Sequence, residues 1–320
     1  MTDDVWYDYL LETILARYSK RARLVDDLMD LLSIEREAVY RRLRKEVVFS
    51  PQEIVKMASV WNISLDQITA INAGTVSFAM KAINYLDPSE EEFVEIKKRV
   101  RRLEHLKKDP SAEYMAVCNR LPRTLTCGYP LLYKFDVFRW AYQYGNEEKI
   151  PIFGETTISE QFSQEMADVA LLIKYTANLS YIWDSQIFEH IVHEISYFNS
   201  ILLITKEEKD LLKKELHTLL DYLSEVASKG YFPETKQKVN LYISKINITT
   251  NYSYFYTEKL KLCRIHAFEK HDVFTYDTKM VEDFRTWMQL KKRTSIQISE
   301  VDEKSRIDFF MKQRALVEGM

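Results

Sequence analysis

The segment from Leu24 to Leu43, LVDDLMDLLSIEREAVYRRL, has the apolar spacing of two short helices joined by a tight turn. The first helix would bury a leucine-rich face, and the second would be held from beneath by two apolar anchors. The positions expected to be buried are Leu24, Leu28, Leu31, Leu32, Ile34, Val39 and Leu43. The arginines of the second helix then point outward, as in a helix that lies in a DNA major groove. The segment therefore predicts a helix-turn-helix.

The outward side chains of the second helix are the candidate DNA contacts. Polar side chains can hydrogen-bond to base edges, whereas contacts to phosphate add affinity without reading sequence. The candidate base contacts are Arg36, Glu37, Tyr40 and Arg41, and the candidate phosphate contacts are Arg42, Arg44, Lys45, Lys20 and Arg21. The predicted partner is double-stranded DNA. Because one such module buries limited surface, we expect a homodimer that binds paired half-sites.

Further helices are predicted on both sides of this segment. Before it, YLLETILARY carries apolar residues at helical spacing. After it, Ser50, Pro51 and Glu53 form a capping box with proline at the first helical position. The segment Ser64–Gln67 repeats the box and opens a last short helix through Ile71. Residues 1–73 are thus predicted to form a five-helix bundle.

In order and spacing, these five helices resemble the lambda-repressor-type helix-turn-helix domain, and SPQEIVKMASVWNISLDQI resembles the closing pattern of that family. The resemblance covers about the first seventy residues and implies a DNA-binding transcription regulator. Two positions depart from the family: Ser33 stands where glycine is usual in the turn, and Glu35 stands at the usual Ser or Thr cap. The whole chain, with its ETILARYSKRARLVDDLM opening, also resembles a group of helix-turn-helix regulators from Bacteroidetes that carry a long C-terminal portion.

The composition argues against several classes of protein. A net charge of −3 means that DNA affinity must come from a local basic surface. The chain has 6 glycines and no GxGxxG or Walker loop, and its 3 cysteines include no C-x-x-C pair. No cofactor and no metal site are therefore predicted. The unpaired thiols, and the lack of a long apolar run or a signal peptide, predict a cytoplasmic protein without a membrane partner.

The rest of the chain is predicted to be mainly α-helical. Residues 74–108 would form a connector and a linking helix that begins after Ser89, and residues 109–320 a C-terminal domain for sensing or oligomerisation. Near 238–277 the partial alternation predicts a small antiparallel sheet with a hairpin turn at Thr249–Asn251, or else an aromatic-rich helix pair. Aromatic residues such as Phe135 and Phe138 would pack in a core or line a cavity for an unidentified small-molecule or peptide effector.

Catalytic chemistry has little support in the sequence, and we predict no enzyme activity. His190 and His193 share a helix face and Glu194 follows, but the pattern is neither HExxH nor HxxEH. We interpret these residues as the polar face of a helix, with a metal-dependent enzyme as the weaker alternative. A second hypothesis is a helical interaction or scaffold protein that binds a peptide or protein partner instead of DNA, because charge runs on helices are usually solvated faces.

Overall fold

The computed structural model describes residues 5–15, 18, 20–61, 63, 65, 75–81, 83–144, 150–258, 260–267 and 270–320. The chain divides into two units, Met1–Phe78 and Ala79–Met320. Each unit buries an apolar core of its own. The first core lies among helices, whereas the second is built on a β-sheet.

The first unit is built from the helices α1 (Val5–Leu15), α2 (Arg21–Leu32), α3 (Arg36–Leu43) and α4 (Pro51–Trp61). Apolar residues recur at helical intervals on one face of each helix, and these faces meet in one core. The buried members of this core are Tyr7, Leu10, Leu11, Ile14, Leu24, Val25, Leu28, Leu32, Val39, Leu43, Phe49, Met57 and Ile63. The helices predicted up to Trp61 are confirmed. The last predicted helix, from Ser64 to Ile71, lies outside the described residues apart from Leu65.

The turn between α2 and α3 contains a left-handed residue. Ser33 has φ 54° and ψ 47°, and its N–H donates to the carbonyl of Met29. Glycine adopts this conformation most readily, so a serine here carries backbone strain. The capping box predicted at the start of α4 is confirmed. The N–H of Ser50 donates to Glu53 Oε2 at 2.7 Å, and the N–H of Glu53 donates to Ser50 Oγ at 3.3 Å.

The second unit contains an eight-stranded mixed sheet. Its strands are β1 (Ala79–Met80), β2 (Glu113–Cys118), β3 (Asn178–Trp183), β4 (Val239–Ser244), β5 (Tyr252–Tyr256), β6 (Lys261–Ala267), β7 (His271–Thr275) and β8 (Ser295–Gln297). They lie in the order β1-β7-β6-β5-β2-β3-β4-β8. The strands β2, β3 and β4 are parallel, whereas β5, β6 and β7 form an antiparallel meander on the other side of β2. β2 is therefore the boundary between the two halves of the sheet.

Helices cover both faces of this sheet. They are α5 (Glu90–Leu106), α6 (Arg123–Thr126), α7 (Pro130–Tyr144), α8 (Glu160–Ile173), α9 (Glu189–Ser200), α10 (Lys206–Lys229), α11 (Thr278–Leu290) and α12 (Glu303–Glu318). On one face, residues such as Ala116 and Tyr181 share the large core with α5 to α10 and α12. On the other face, Met115, Val117 and Ile182 pack with the apolar side of α11. The central strands are thus buried on both sides.

The prediction of a mainly α fold with a small antiparallel β element is wrong, because the second unit is an α/β fold built on a large sheet. The sequence of β2, EYMAVC, and that of β3, NLSYIW, are buried at nearly every position. Parallel strands of this kind read as short apolar runs without alternation, so the period-2 pattern does not reveal them.

The region 238–277 does contain strands, but not the predicted hairpin. β4 to β7 occupy the segment in which partial alternation predicts a sheet rather than a helix pair. The turn at Thr249–Asn251 does not join neighbouring strands, because β2 and β3 lie between β4 and β5 in the sheet. The β strands of this region are therefore split between the two halves of one larger sheet.

The helix start predicted after Ser89 is confirmed, and three other helices of the second unit also begin at a capping side chain. The helices α5, α10, α11 and α12 each begin after a residue whose side chain accepts a capping hydrogen bond, namely Ser89, Thr205, Asp277 and Asp302. α10 ends at Gly230, which has φ 71°. The helices α8, α9 and α10 belong to the crossovers that connect β2 to β3 and β3 to β4.

Candidate functional site

Helix α3 exposes one face and buries another. At about 100° per residue, five positions of the predicted DNA contact set fall within a sector of roughly 140°. These residues are Arg36, Glu37, Tyr40, Arg41 and Arg44, which are exposed except for the half-buried Tyr40. Val39 and Leu43 lie outside this sector, on the side of Arg36, and are 0% and 8% exposed. The structure thus brings the four candidate base contacts together with one candidate phosphate contact.

Arg42 faces away from this sector and is bound inside the unit. Its guanidinium donates to both carboxylate oxygens of Glu53, at 2.9 and 3.3 Å, and to the carbonyl of Ala38 at 3.1 Å. The side chains of Arg42 and Glu53 are 17% and 14% exposed. Burial alone would raise the pKa of Glu53, but hydrogen bonds from the Ser50 N–H and from Arg42 outweigh it and lower that pKa. Arg42 therefore joins α3 to α4 instead of facing outward.

The exposed cations of α3 and of the turn after it have carboxylate neighbours within the first unit. The pairs are Arg36–Asp26 at 2.6 Å, Arg41–Glu46 at 3.6 Å, Arg44–Glu37 at 2.8 Å, Arg44–Glu46 at 2.7 Å, and Lys45–Asp8. Exposed pairs of this kind stabilise a fold weakly. Lys20 and Arg21, at the start of α2, are also exposed. Residues 1–78 contain ten Lys or Arg and twelve Asp or Glu, so the basic character is local to this surface.

A second candidate site is a cavity of about 120 Å³ in the second unit, beside the carboxyl end of β2. Its floor is the sheet, where Ala116, Ser253 and Arg264 lie side by side on β2, β5 and β6. Its walls come from α5, α6, α7 and α8. Because Ala116 and Ser253 have short side chains, space remains between the sheet and the helices.

Cationic side chains from separate elements converge on this cavity. The cations are Arg99, Arg120, Arg123, Arg139, Arg264 and the adjoining Lys270, and the neighbouring carboxylates are Asp136, Glu194 and Asp272. His266 also lines the cavity, and its Nδ1 lies 3.0 Å from Asp272 Oδ1. The site gathers these charges in a partly buried setting, where electrostatic interactions are stronger than in water.

One part of this cluster is organised around Glu194. The Nη1 atoms of Arg120 and Arg139 both donate to Glu194 Oε1, at 2.9 and 3.1 Å. The loop that carries Arg120 is fixed by Asn251, whose Oδ1 accepts from the N–H groups of Asn119 and Arg120 at 2.9 and 3.1 Å. These contacts hold the guanidinium groups of Arg120 and Arg139 in place beside the loop that follows β2.

A second part is organised around Lys270, whose side chain is 0% exposed. Its ammonium donates to Asp136 and lies 4.5 Å from the ring centre of Tyr85. Arg123 donates to Tyr85 Oη at 3.1 Å and to the carbonyl of Lys270 at 2.6 Å. Burial alone would raise the pKa of Asp136, but the neighbouring positive charges of Lys270 and Arg139 outweigh it and lower that pKa.

Arg99 and Arg264 differ from the other cations of the cavity. Among the residues that the structure describes, neither guanidinium has a hydrogen bond or an ion pair. Arg99 comes from α5 and Arg264 from β6, so the two side chains reach the same cavity from opposite walls. Burial lowers the pKa of Arg99 to about 9, and the positive charges of Arg264 and Arg123 contribute to the same effect. The two groups therefore repel each other across the cavity.

The histidines of the metal-enzyme alternative lie next to the Glu194 cluster. The carboxylate of Glu194 is already engaged by Arg120 and Arg139. Burial, and then the charge of Arg120, lower the pKa of His190. Within the described ranges, no group of three or more His, Cys, Asp or Glu residues could hold a metal ion. His190 and Glu194 are placed beside an arginine cluster, an environment that disfavours a cation.

Sequence reasoning did not identify the arginine-lined cavity. Its residues come from segments far apart in the chain, and they meet because the sheet places β6, β5 and β2 side by side. One signal was available in the strand sequence KLCRIHA. There, Arg264 and His266 occupy alternate positions, which places both side chains on one face of the strand.

Comparisons of the chain with protein-family models, with curated proteins and with solved structures each give no match. In the part of the chain that the structure describes, no helix is both long enough and apolar enough to cross a membrane. Function is therefore inferred from the geometry of the chain's own residues.

Proposed function

We propose that the protein is a sequence-specific transcription regulator that binds double-stranded DNA by placing helix α3 in the major groove. One observation supports this most strongly. Arg36, Tyr40 and Arg41 share one face of α3, directly after a tight turn. Val39 and Leu43 lie outside that face and fix the helix in the core. A short, rigidly supported helix with an outward cationic face is the geometry by which helix-turn-helix proteins read base edges.

Each exposed residue of this surface has a proposed role. Arginine can donate two hydrogen bonds to guanine, and glutamate can accept one from cytosine. The proposed base contacts are Arg36, Glu37, Tyr40 and Arg41, and the proposed phosphate contacts are Arg44, Lys45, Lys20 and Arg21. Arg42 is left out of the set, because its guanidinium is bound to Glu53.

The ion pairs on this surface are compatible with DNA binding. They are exposed, and an exposed carboxylate partner contributes little stability. A phosphate oxygen can replace a carboxylate oxygen as the acceptor for Arg36 or Arg44. Carboxylates such as Glu37 and Glu46 near the helix would then repel phosphates that are out of register, which favours specificity over tight non-specific binding.

The proposed working form is a homodimer that binds two half-sites about 34 Å apart, one turn of DNA. The second unit would supply effector sensing, oligomerisation or both. A role in DNA binding also implies a cytoplasmic location. The three free cysteines Cys118, Cys127 and Cys263, all buried, are consistent with a reducing compartment.

The proposal is tested by selecting bound sequences from a random DNA pool with the full chain. We expect enrichment of a two-fold symmetric site. For a dimer with six to ten phosphate contacts, the affinity for that site should fall by roughly 10³- to 10⁵-fold between 50 and 200 mM salt. The absence of any enriched sequence would overturn the proposal.

Matched variants separate DNA binding from the alternative, a helical module that binds a peptide or protein. Arg44→Gln should weaken binding to all DNA sequences and reduce the salt dependence by about one phosphate contact per subunit, or two per dimer. Lys56→Gln also removes one positive charge, from an exposed position of α4. It should leave both the DNA affinity and its salt dependence unchanged. A partner that binds with little dependence on salt, in a protein that enriches no DNA, would favour the interaction module.

A further inference from the structure

The arginine-lined cavity of the second unit lies between the sheet and four helices. We propose that it is a binding site for a small phosphate-bearing ligand, whose phosphate group lies between Arg99 and Arg264. All of its residues belong to the second unit, so the site does not depend on whether the first unit binds DNA.

The charge balance of the cavity calls for an anion. Arg99 and Arg264 both line it, and within the described residues neither guanidinium has an ion pair. Unpaired charges in a low-dielectric setting are strongly destabilising. A monocarboxylate would neutralise one of these two charges, whereas a phosphomonoester carries about −1.5 to −2 at neutral pH. The two charges therefore fit a phosphate group better than a single carboxylate.

The position of the Arg99 and Arg264 guanidiniums identifies where the anion lies. Arg99 reaches the cavity from the helix layer and Arg264 from the sheet. Within the described part of the chain, neither has a carboxylate or carbonyl acceptor. An oxyanion between them would accept hydrogen bonds from both and turn a repulsion into two attractions. The guanidinium fork matches phosphate oxygens in this arrangement.

The remaining cations are already held in place for such a ligand. Glu194 fixes the guanidiniums of Arg120 and Arg139. The hydroxyl of Thr124, which lines the cavity, accepts a hydrogen bond from Tyr181 Oη at 3.0 Å. Its own hydrogen therefore stays free to donate to a ligand oxygen. The oxygens of a dianionic phosphate ester accept hydrogen bonds and donate none. Such a group suits a site whose available side chains are donors.

The size of the cavity limits the ligand. Its volume is about 120 Å³. Sites for drug-sized ligands are larger, roughly 300 to 1,000 Å³. Ala116 and Ser253 line the floor, so larger side chains at these positions would fill the space. The cavity therefore fits a phosphate group with a small attached portion, or the inorganic ion itself.

The test measures binding by calorimetry and thermal unfolding of the full chain in phosphate-free buffer. The probes are inorganic phosphate, methyl phosphate and malonate at matched ionic strength. We expect saturable binding of at least one phosphate probe, with a Tm increase of about 5–10 °C at a concentration a hundred times Kd. Tighter binding of methyl phosphate would identify an ester as the ligand, and tighter binding of inorganic phosphate would identify the ion.

Two variants and one control assign the binding to this cavity. Arg99→Gln and Arg264→Gln should each weaken phosphate binding by about 10- to 100-fold, because each removes a charged hydrogen-bond donor. Because each also relieves the repulsion between the two guanidiniums, the unliganded Tm should not fall. Lys97→Gln, an exposed cation on the same helix as Arg99, should bind phosphate like the wild type.

Three results would overturn the proposal. One is no saturable binding of either phosphate probe. Another is an unchanged phosphate affinity in both Arg99→Gln and Arg264→Gln, which would place the ion elsewhere. The third is binding of malonate that exceeds that of both phosphates, which would make the site a dicarboxylate site. None of these results bears on DNA binding by α3.

Discussion

Arg42 of α3 and Glu53 of α4 form a two-point ion pair that lies largely out of solvent. Glu53 also accepts the N–H of Ser50, so the same carboxylate caps α4 and fixes α3. The orientation of the proposed DNA-reading helix therefore depends on the start of the next helix, and the cation that the sequence places among the phosphate contacts has a structural role.

The first prediction concerns the removal of this pair. Arg42→Ala should lower the local stability of the first unit by about 1.5–3 kcal/mol, because it leaves Glu53 without its charged hydrogen bonds. Arg41→Ala, a neighbouring exposed cation, should change it by less than about 0.5 kcal/mol. Hydrogen exchange of the α3 and α4 amides measures both. Equal exchange rates in the two variants would contradict the structural role of Arg42.

The second prediction concerns pH. The pKa of Glu53 is lowered in the folded protein from its ordinary value of 4.5. Such a group adds stability above the unfolded pKa and loses it as the pH falls through the folded pKa. The stability of the first unit should therefore decrease as the pH drops below 4.5. Glu53→Gln should lack the part of this stability loss that comes from protonation of Glu53. Hydrogen exchange measured from pH 6 to pH 3 compares the variant with the wild type. Parallel pH profiles would rule out the contribution of Glu53.

The third prediction concerns the turn before α3. Ser33 has φ 54°, a conformation that costs a residue with a β-carbon about 1–2 kcal/mol. Ser33→Gly removes this cost but increases the freedom of the unfolded chain, so a net gain of up to about 1 kcal/mol is expected. Ser33→Val should destabilise the unit, because a β-branched side chain fits this region poorly. Hydrogen exchange measures the change in local stability of both variants. A loss of stability in Ser33→Gly would show that Ser33 is not strained.

The fourth prediction concerns sequence reading. Arg41→Ala should weaken binding to the selected DNA site by about 1–3 kcal/mol and relax the preference at one base pair. Lys56→Ala, on α4, should leave the preference unchanged. Binding to a panel of single-base variants of the site measures this. An identical preference profile in Arg41→Ala would remove Arg41 from the proposed base contacts.

The fifth prediction concerns the buried pair Asp136–Lys270. Asp136→Asn should lower the stability of the second unit by about 3–5 kcal/mol, because the wholly buried ammonium of Lys270 then lacks its anion. Replacing both residues, with Asp136→Leu and Lys270→Met, should recover most of that loss, since an apolar pair avoids the cost of burying charge. Denaturant unfolding compares the three proteins. A double variant as unstable as Asp136→Asn would contradict this account.

Local features of this chain could be predicted from the sequence, and long-range ones could not. The capping box at Ser50 can be predicted because both of its partners lie within four residues of each other. The buried positions of α3 can be predicted in the same way, because the helical period alone marks Val39 and Leu43 as the apolar side of the helix. Such patterns need no knowledge of the tertiary fold.

The sheet and the cavity depend on pairings between distant segments. Ala116, Ser253 and Arg264 become neighbours because β5 and β6 add to the side of β2 that its crossover to β3 leaves open. The short apolar runs of β2 and β3 do not reveal which strands will flank them. An arginine in a strand or a linking helix therefore reads as a surface charge, although the fold turns Arg264 and Arg99 toward one cavity.

The lengths of the outermost strands have a consequence for how the protein behaves at high concentration. β1 and β8 are two and three residues long. An approaching chain finds few unpaired N–H and C=O groups on such borders, and this suppresses strand-to-strand aggregation. The second unit can thus hold a broad β interior without presenting a template on which fibrils grow.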